Sequence, residues 1–155
     1  MKGTVMHNDV ISTLNDLIET CKDGEEGFKS CAEDLGDSQL KQTLLAYASN
    51  CSESARELTA LVIAHGGEPE TKSSLAGTLH RRWIDIKSAV MGKDEKAVLN
   101  ECERGEDVAK KSYRRALEKD LPLDVKVVIE RQYQGVLKNH DAIKILRDRA
   151  HAATS

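Results

Sequence analysis

Ile11, Leu14, Ile18, Cys21, Phe28, Ala32 and Leu35 follow one another mostly at steps of three and four. That spacing lines side chains along one helix face. Asn8 or Asp9 can cap such a helix, and Gly36-Asp37-Ser38 can stop it and cap the next, so a helix is predicted over 8–35. Leu40, Leu44, Tyr47, Cys51, Ala55, Leu58 and Val62 continue the pattern over 38–65, before Gly66-Gly67 with Pro69 beyond. A polar stretch follows, and then Leu75, Leu79, Trp83, Ile86 and Val90 mark a shorter amphipathic helix over 75–91 that Gly92 ends. Val98, Cys102, Ala109, Tyr113 and Leu117 predict a helix over 94–119. Pro122 suits the start of a helix over 123–150 carrying Val125, Ile129, Gln132, Val136, His140, Ile143 and Leu146, with a frayed tail from His151. No segment alternates like a strand. The expected class is all-α.

Composition agrees with long helices. The 155 residues suit one domain with a continuous core, and 3% aromatic residues with 2 Pro argue against a strand-rich sandwich. A net charge of -3 gives no reason to expect nucleic acid as partner. The basic clusters at 80–82 and 110–115 read as solvated helix faces. No apolar core follows Lys2, so no signal peptide is expected, and no apolar run approaches the roughly 18 residues of a membrane span. The expected location is cytoplasmic. Cys21, Cys31, Cys51 and Cys102 contain no Cys-x-x-Cys spacing and read as reduced core thiols.

The chain repeats itself. C-K-D-G-E-E-G-F-K-S begins at Cys21 and C-E-R-G-E-D-V-A-K-K at Cys102. With Cys21 on Cys102, Gly24 meets Gly105, Glu25 meets Glu106 and Lys29 meets Lys110. After a slightly longer second loop, Leu40 meets Val125, Leu44 meets Ile129, Cys51 meets Val136 and Leu58 meets Ile143. Two copies of one helical hairpin are implied, each with antiparallel helices because its loop is short. The connection between them, about thirty residues, is long enough to run the length of a bundle.

Three ionisable residues interrupt the apolar stripes: Glu25 between Cys21 and Phe28, Glu106 between Cys102 and Ala109, and His140 between Val136 and Ile143. Burying each unpaired would cost several kcal/mol, so partners are expected. Three arrangements are open. The residues form a polar pair or triad left from a metal-binding ancestor, or they hold one divalent metal (iron, zinc or manganese). In the third, both glutamates turn to solvent and Gly24 and Gly105 face inward. Cys102 and His140, counted back from the last loop, fall at similar height amid apolar residues, which favours packing over a thiolate nucleophile. Trp83 either anchors the connecting helix or lies in a subunit contact of a homo-oligomer.

The segments at 101–107 (E-C-E-R-G-E-D), Tyr113, 140–148 (H-D-A-I-K-I-L-R-D), 14–28 and 74–83 resemble the ferritin-like superfamily. Within it they are similar to an uncharacterised bacterial branch known as a four-helix-bundle domain of unknown function. The resemblance implies a ferritin-like four-helix bundle: two hairpins joined by a long crossover with a short helix. Di-iron bundles of that kind use two glutamates plus a Glu-x-x-His on each of two further helices. Here no Glu-x-x-His occurs: Leu137 stands three before His140, and Ser52 and Ala55 take the equivalent places on the second helix. Ferroxidase or di-iron oxidase chemistry is therefore not expected. The expected role is a non-catalytic binding or structural protein, with a stress-associated role implied only by the superfamily resemblance. The alternative is a metal-binding protein with the reduced site Glu25, Glu106 and His140.

Overall fold

The computed structural model describes residues 2–33, 35, 38–70 and 95–154. Four helices and no strand occur among them: α1 (Lys2–Glu33), α2 (Ser38–Ala64), α3 (Glu95–Leu117) and α4 (Leu123–Thr154). The helix expected over 75–91, with Trp83, lies outside the described residues. α1 starts at Lys2 rather than near 8, so Asn8 and Asp9 sit inside the helix instead of capping it. α4 runs to Thr154 instead of fraying from His151. Ala150, Ala152 and Ala153 favour helix strongly and give α4 no stop.

The end of α2 has a specific chemical cause. Gly66 takes a positive φ of 81°, and its N–H donates to Ile63 O at 3.0 Å while the Gly67 N–H donates to Val62 O at 2.9 Å. These two reversed bonds form a Schellman cap. Gly67 must also lack a side chain, because a Cβ there would stand 2.6 Å from Ile11 Cδ1 and 2.8 Å from Cγ2. Gly66→Ala is expected to cost about 1 kcal/mol through its left-handed backbone. Urea denaturation would read this as a lower midpoint with an unchanged slope.

Side-chain ties fix the helix directions. Asn15 on α1 donates to Glu68 O, and the Phe28 and Tyr47 rings meet edge to face at 5.7 Å, so α2 runs antiparallel to α1. Tyr113 meets Gln132, and Asp107 meets His140, so α4 runs antiparallel to α3. Lys119 reaches Thr13 while Tyr113 reaches Cys21, making α1 and α3 antiparallel as well. Glu57 meets Arg131, and His65 meets Asp124, giving the same relation for α2 and α4. It follows that α2 and α3 are parallel. The chain leaves α2 at one end of the bundle and enters α3 at the other. Its first residues already turn along α1: Glu70 N donates to Asn15 Oδ1 at 2.8 Å, and Lys22 Nζ donates to Glu70 O at 3.1 Å.

The core divides into two apolar clusters. One holds Leu14, Leu17, Ile18, Leu58, Val62, Val125 and Ile129. The other holds Phe28, Ala32, Leu40, Leu44, Leu99, Cys102 and Ile143. Positions superposed by the internal repeat match in burial: Leu44 with Ile129 and Leu58 with Ile143 are all fully buried. Each side chain of this kind withdrawn from water contributes about 1.5–3 kcal/mol. Between the two clusters lies a polar layer, and the site is there.

Candidate functional site

A cavity of about 340 Å³ opens between α2 and α4 at this layer. α1 contributes Cys21, Gly24 and Phe28 to its wall, α2 Asn50, Cys51 and Ser54, α3 Gly105, Glu106, Ala109 and Tyr113, and α4 Gln132, Val136 and Asn139. Gly24 brings α1 close to α2, since a Cβ there would stand 3.0 Å from Cys51 Sγ.

One hydrogen-bond chain crosses all four helices. The buried Tyr113 hydroxyl donates to Gln132 Oε1 at 2.7 Å, and Cys21 Sγ lies 3.2 Å from the same hydroxyl. A phenol has one proton to give, so Cys21 is the donor in its own bond. Gln132 Nε2 in turn donates to Ser54 O at 3.3 Å and Glu57 Oε1 at 3.0 Å. Arg131 donates to Glu57 Oε2 and, with Gln132, holds the Glu57 carboxyl below its ordinary titration range. The sequence of donors runs from α1 through α3 and α4 to α2. It ties the helices together and fixes the Cys21 proton.

The thiols are correspondingly inert. Burial pushes Cys21 up to about 12, with the nearby Glu106 charge raising it further. Burial also raises Cys51. Cys102 is raised by its hydrogen bond with Cys31 and by burial. None of these presents a thiolate at neutral pH.

Two acids of the cavity wall, Glu106 on α3 and Asp23 on α1, are buried without full hydrogen bonding. Glu106 is 4% exposed, and its Oε2 is buried with no hydrogen-bond partner. Burial, and secondarily the Asp107 charge, raises its carboxyl to about 8. Asp23 on α1 is a second buried acid whose two oxygens lack hydrogen-bond partners; burial and then Glu26 and Glu19 raise it to about 7. Nothing in the periodicity of α1 distinguishes Asp23, which lies off the apolar stripe.

The predicted trio does not assemble into one group. Glu106 faces the interior as expected. Glu25 lies at the stripe's edge and pairs with Lys29 at 2.9 Å, because Gly24 one position earlier takes the inward place. Thus the inward-glycine arrangement describes α1, whereas on α3 both Gly105 and Glu106 line the cavity. His140 turns to Asp107, with Nε2 2.7 Å from Oδ1. Nor is His140 level with Cys102: Cys102 meets Cys31, and the α4 residue opposite neighbouring Glu103 is Arg147. Glu103, Asp107 and His140 do converge, with ligand atoms all within 4.8 Å of one another, the one such grouping of three or more among the described residues. Glu103 and Asp107 stand four apart on α3, a spacing visible in the sequence. Their partner on α4 could be identified only with the α3–α4 register.

No helix among the described residues is long and apolar enough to cross a membrane. Residues 9–119 match the family described as "Domain of unknown function (DUF2383)". No curated protein matches the chain.

Proposed function

Because the chain belongs to that family, which carries no assigned function, its role has to come from its own site, and we propose a ferritin-like bundle that binds a small molecule in the central cavity. In this reading it is a cytoplasmic binding protein and not a catalyst. The observation that carries it is the cavity of about 340 Å³ with a buried, unpartnered carboxyl in its wall. Pockets of this size lined by apolar groups with a few polar ones are the usual form of a small-molecule site. The ferritin-like assignment is supported by the antiparallel hairpins and the parallel relation of α2 and α3, which requires a lengthwise connection. The binding role is favoured over a catalytic one because the nucleophile-type side chains nearby are held protonated.

The test is thermal melting against a panel of six-carbon solutes, in wild type and in Ala109→Leu, which narrows the cavity. A solute that binds the native state raises the midpoint in proportion to its saturation. The expected result is a rise in wild type that Ala109→Leu abolishes. No rise with any solute would dismiss the reading.

A second reading, one divalent metal at Glu103, Asp107 and His140, is favoured by their convergence within 4.8 Å. Two carboxylates and an imidazole suit iron, zinc or manganese with open positions. Arg147 already engages Glu103, so a metal would have to displace an ion pair. Adding Zn(II), Mn(II) or Fe(II) should raise the midpoint in wild type and in Glu106→Gln but not in His140→Ala. A rise that His140→Ala keeps would refute this site, and one lost in Glu106→Gln would restore the interior trio.

A further inference from the structure

Resting on the cavity reading above, we propose that the guest is a small organic cation, an amine with a short hydrocarbon body whose ammonium group sits on Glu106. The geometry points to positive charge. Glu106 from α3 and Asp23 from α1 both line the cavity with buried oxygens that have no hydrogen-bond partner. Glu57, also in the wall, has Arg131 and Gln132. Among the described residues, the cationic side chains lining the cavity are Arg131 and Lys138, both exposed at its α4 rim, and Arg131 is committed to Glu57. The wall therefore contains more acid than base, with its unpaired acids in the interior. A buried carboxylate without a counter-ion is costly, and a charge-assisted N–H bond removes that cost.

The remaining surface selects the rest of the molecule. Phe28, Ala109, Val136 and the Tyr113 ring offer apolar area to a hydrocarbon body. A bare metal ion fits poorly, since among the described residues neither Glu106 nor Asp23 joins a group of three or more ligand side chains within 4.8 Å, and the Cys21 thiol keeps its proton in the bond to Tyr113. An organic anion would meet Glu106 and Asp23, while the cations of the wall stand at its exposed rim.

The probes are n-hexylamine, 1-hexanol and hexanoate, matched in length and differing in charge, titrated calorimetrically into wild type and Glu106→Gln. Hexylamine is expected to bind wild type about tenfold or more tightly than hexanol, since charge-assisted bonds are about twice as strong as neutral ones, with hexanoate weakest. In Glu106→Gln, an isosteric change, the amine and the alcohol should bind alike. Equal amine and alcohol affinity in wild type, or preference for hexanoate, would overturn the amine assignment and leave the cavity reading standing. An amine advantage that survives in Glu106→Gln would overturn the role of Glu106. If none of the three binds wild type, both the assignment and the cavity reading fall. The wild-type comparison decides the charge class even if the variant does not fold.

Discussion

Glu106→Gln is expected to flatten the pH dependence of stability and to make the protein more stable than wild type in mild alkali. The carboxyl titrates near 4.5 in an unfolded chain and near 8 in the native protein. Between these values the native state holds a proton that the unfolded state has released, so raising the pH drives unfolding. Stability is then fully present below about pH 4.5, declines through the neutral range and levels off above about pH 8. The full decline amounts to about 5 kcal/mol, on the order of a third or more of a domain's total stability. Gln cannot ionise, so it removes this component while keeping the side chain's shape. Urea unfolding at several pH values from 4 to 9 would show a sloping wild-type curve and a flatter variant, diverging most at the alkaline end. Curves that run parallel would mean that Glu106 is not buried as a lone acid. Asp23, raised to about 7, adds a slope of the same sign that ends earlier, and Asp23→Asn removes that part alone.

The second large effect is expected at Tyr113, the bulkiest fully buried side chain among the described residues. Tyr113→Phe keeps the ring and removes the hydroxyl between Cys21 and Gln132. Gln132 Oε1 then loses its donor, which costs about 1–3 kcal/mol. Tyr113→Ala also empties the first apolar cluster beside α1 and should cost about 3–5 kcal/mol. Because Cys21, Tyr113, Gln132 and Glu57 share one chain of donors, the losses should not add. A double-mutant cycle of Tyr113→Phe with Gln132→Leu should give a coupling of about 0.5–3 kcal/mol. Tyr133, half-buried against the same cluster, is the control: Tyr133→Phe should change stability by less than about 0.5 kcal/mol. Equal effects of the two Tyr→Phe changes, read from urea midpoints, would show that the four-helix chain adds nothing.

Much of the architecture was legible because it depends on period. Stripes such as Leu40, Leu44, Ala55, Leu58 and Val62 register on the α-helical repeat whatever the helix packs against. The superposition of Leu44 on Ile129 and Leu58 on Ile143 likewise survives as matched burial. The site was legible only in part, for a reason of angle. Adjacent helical residues differ by about 100°, so whether Gly24 or Glu25 faces inward turns on a small roll of α1. Glycine carries little apolar signal to reveal that roll, and the close approach of Gly24 to Cys51 appears only in three dimensions. The partner of His140 failed to appear for a different reason. It depends on the offset between α3 and α4, which the intervening turn and its Pro122 set, and counting back from that turn misplaced it against Cys102. Gln132 was read correctly as an inward residue, yet its function as a junction between Tyr113, Ser54 and Glu57 needed the partners' positions.

The polar ties seen between α2 and α4 among the described residues join Glu57 with Arg131, Gln132 with Ser54 and Glu57, and His65 with Asp124. The bundle is thus built like a clasp, fastened by polar bonds toward one half of this seam and by the second apolar cluster in the other. The Glu57–Arg131 pair is exposed, and added salt weakens it by screening, whereas the part-buried Gln132 bonds to Ser54 O and Glu57 are uncharged on the Gln132 side. Added salt would therefore loosen the rim at Glu57 and Arg131 without melting the apolar layers above and below it.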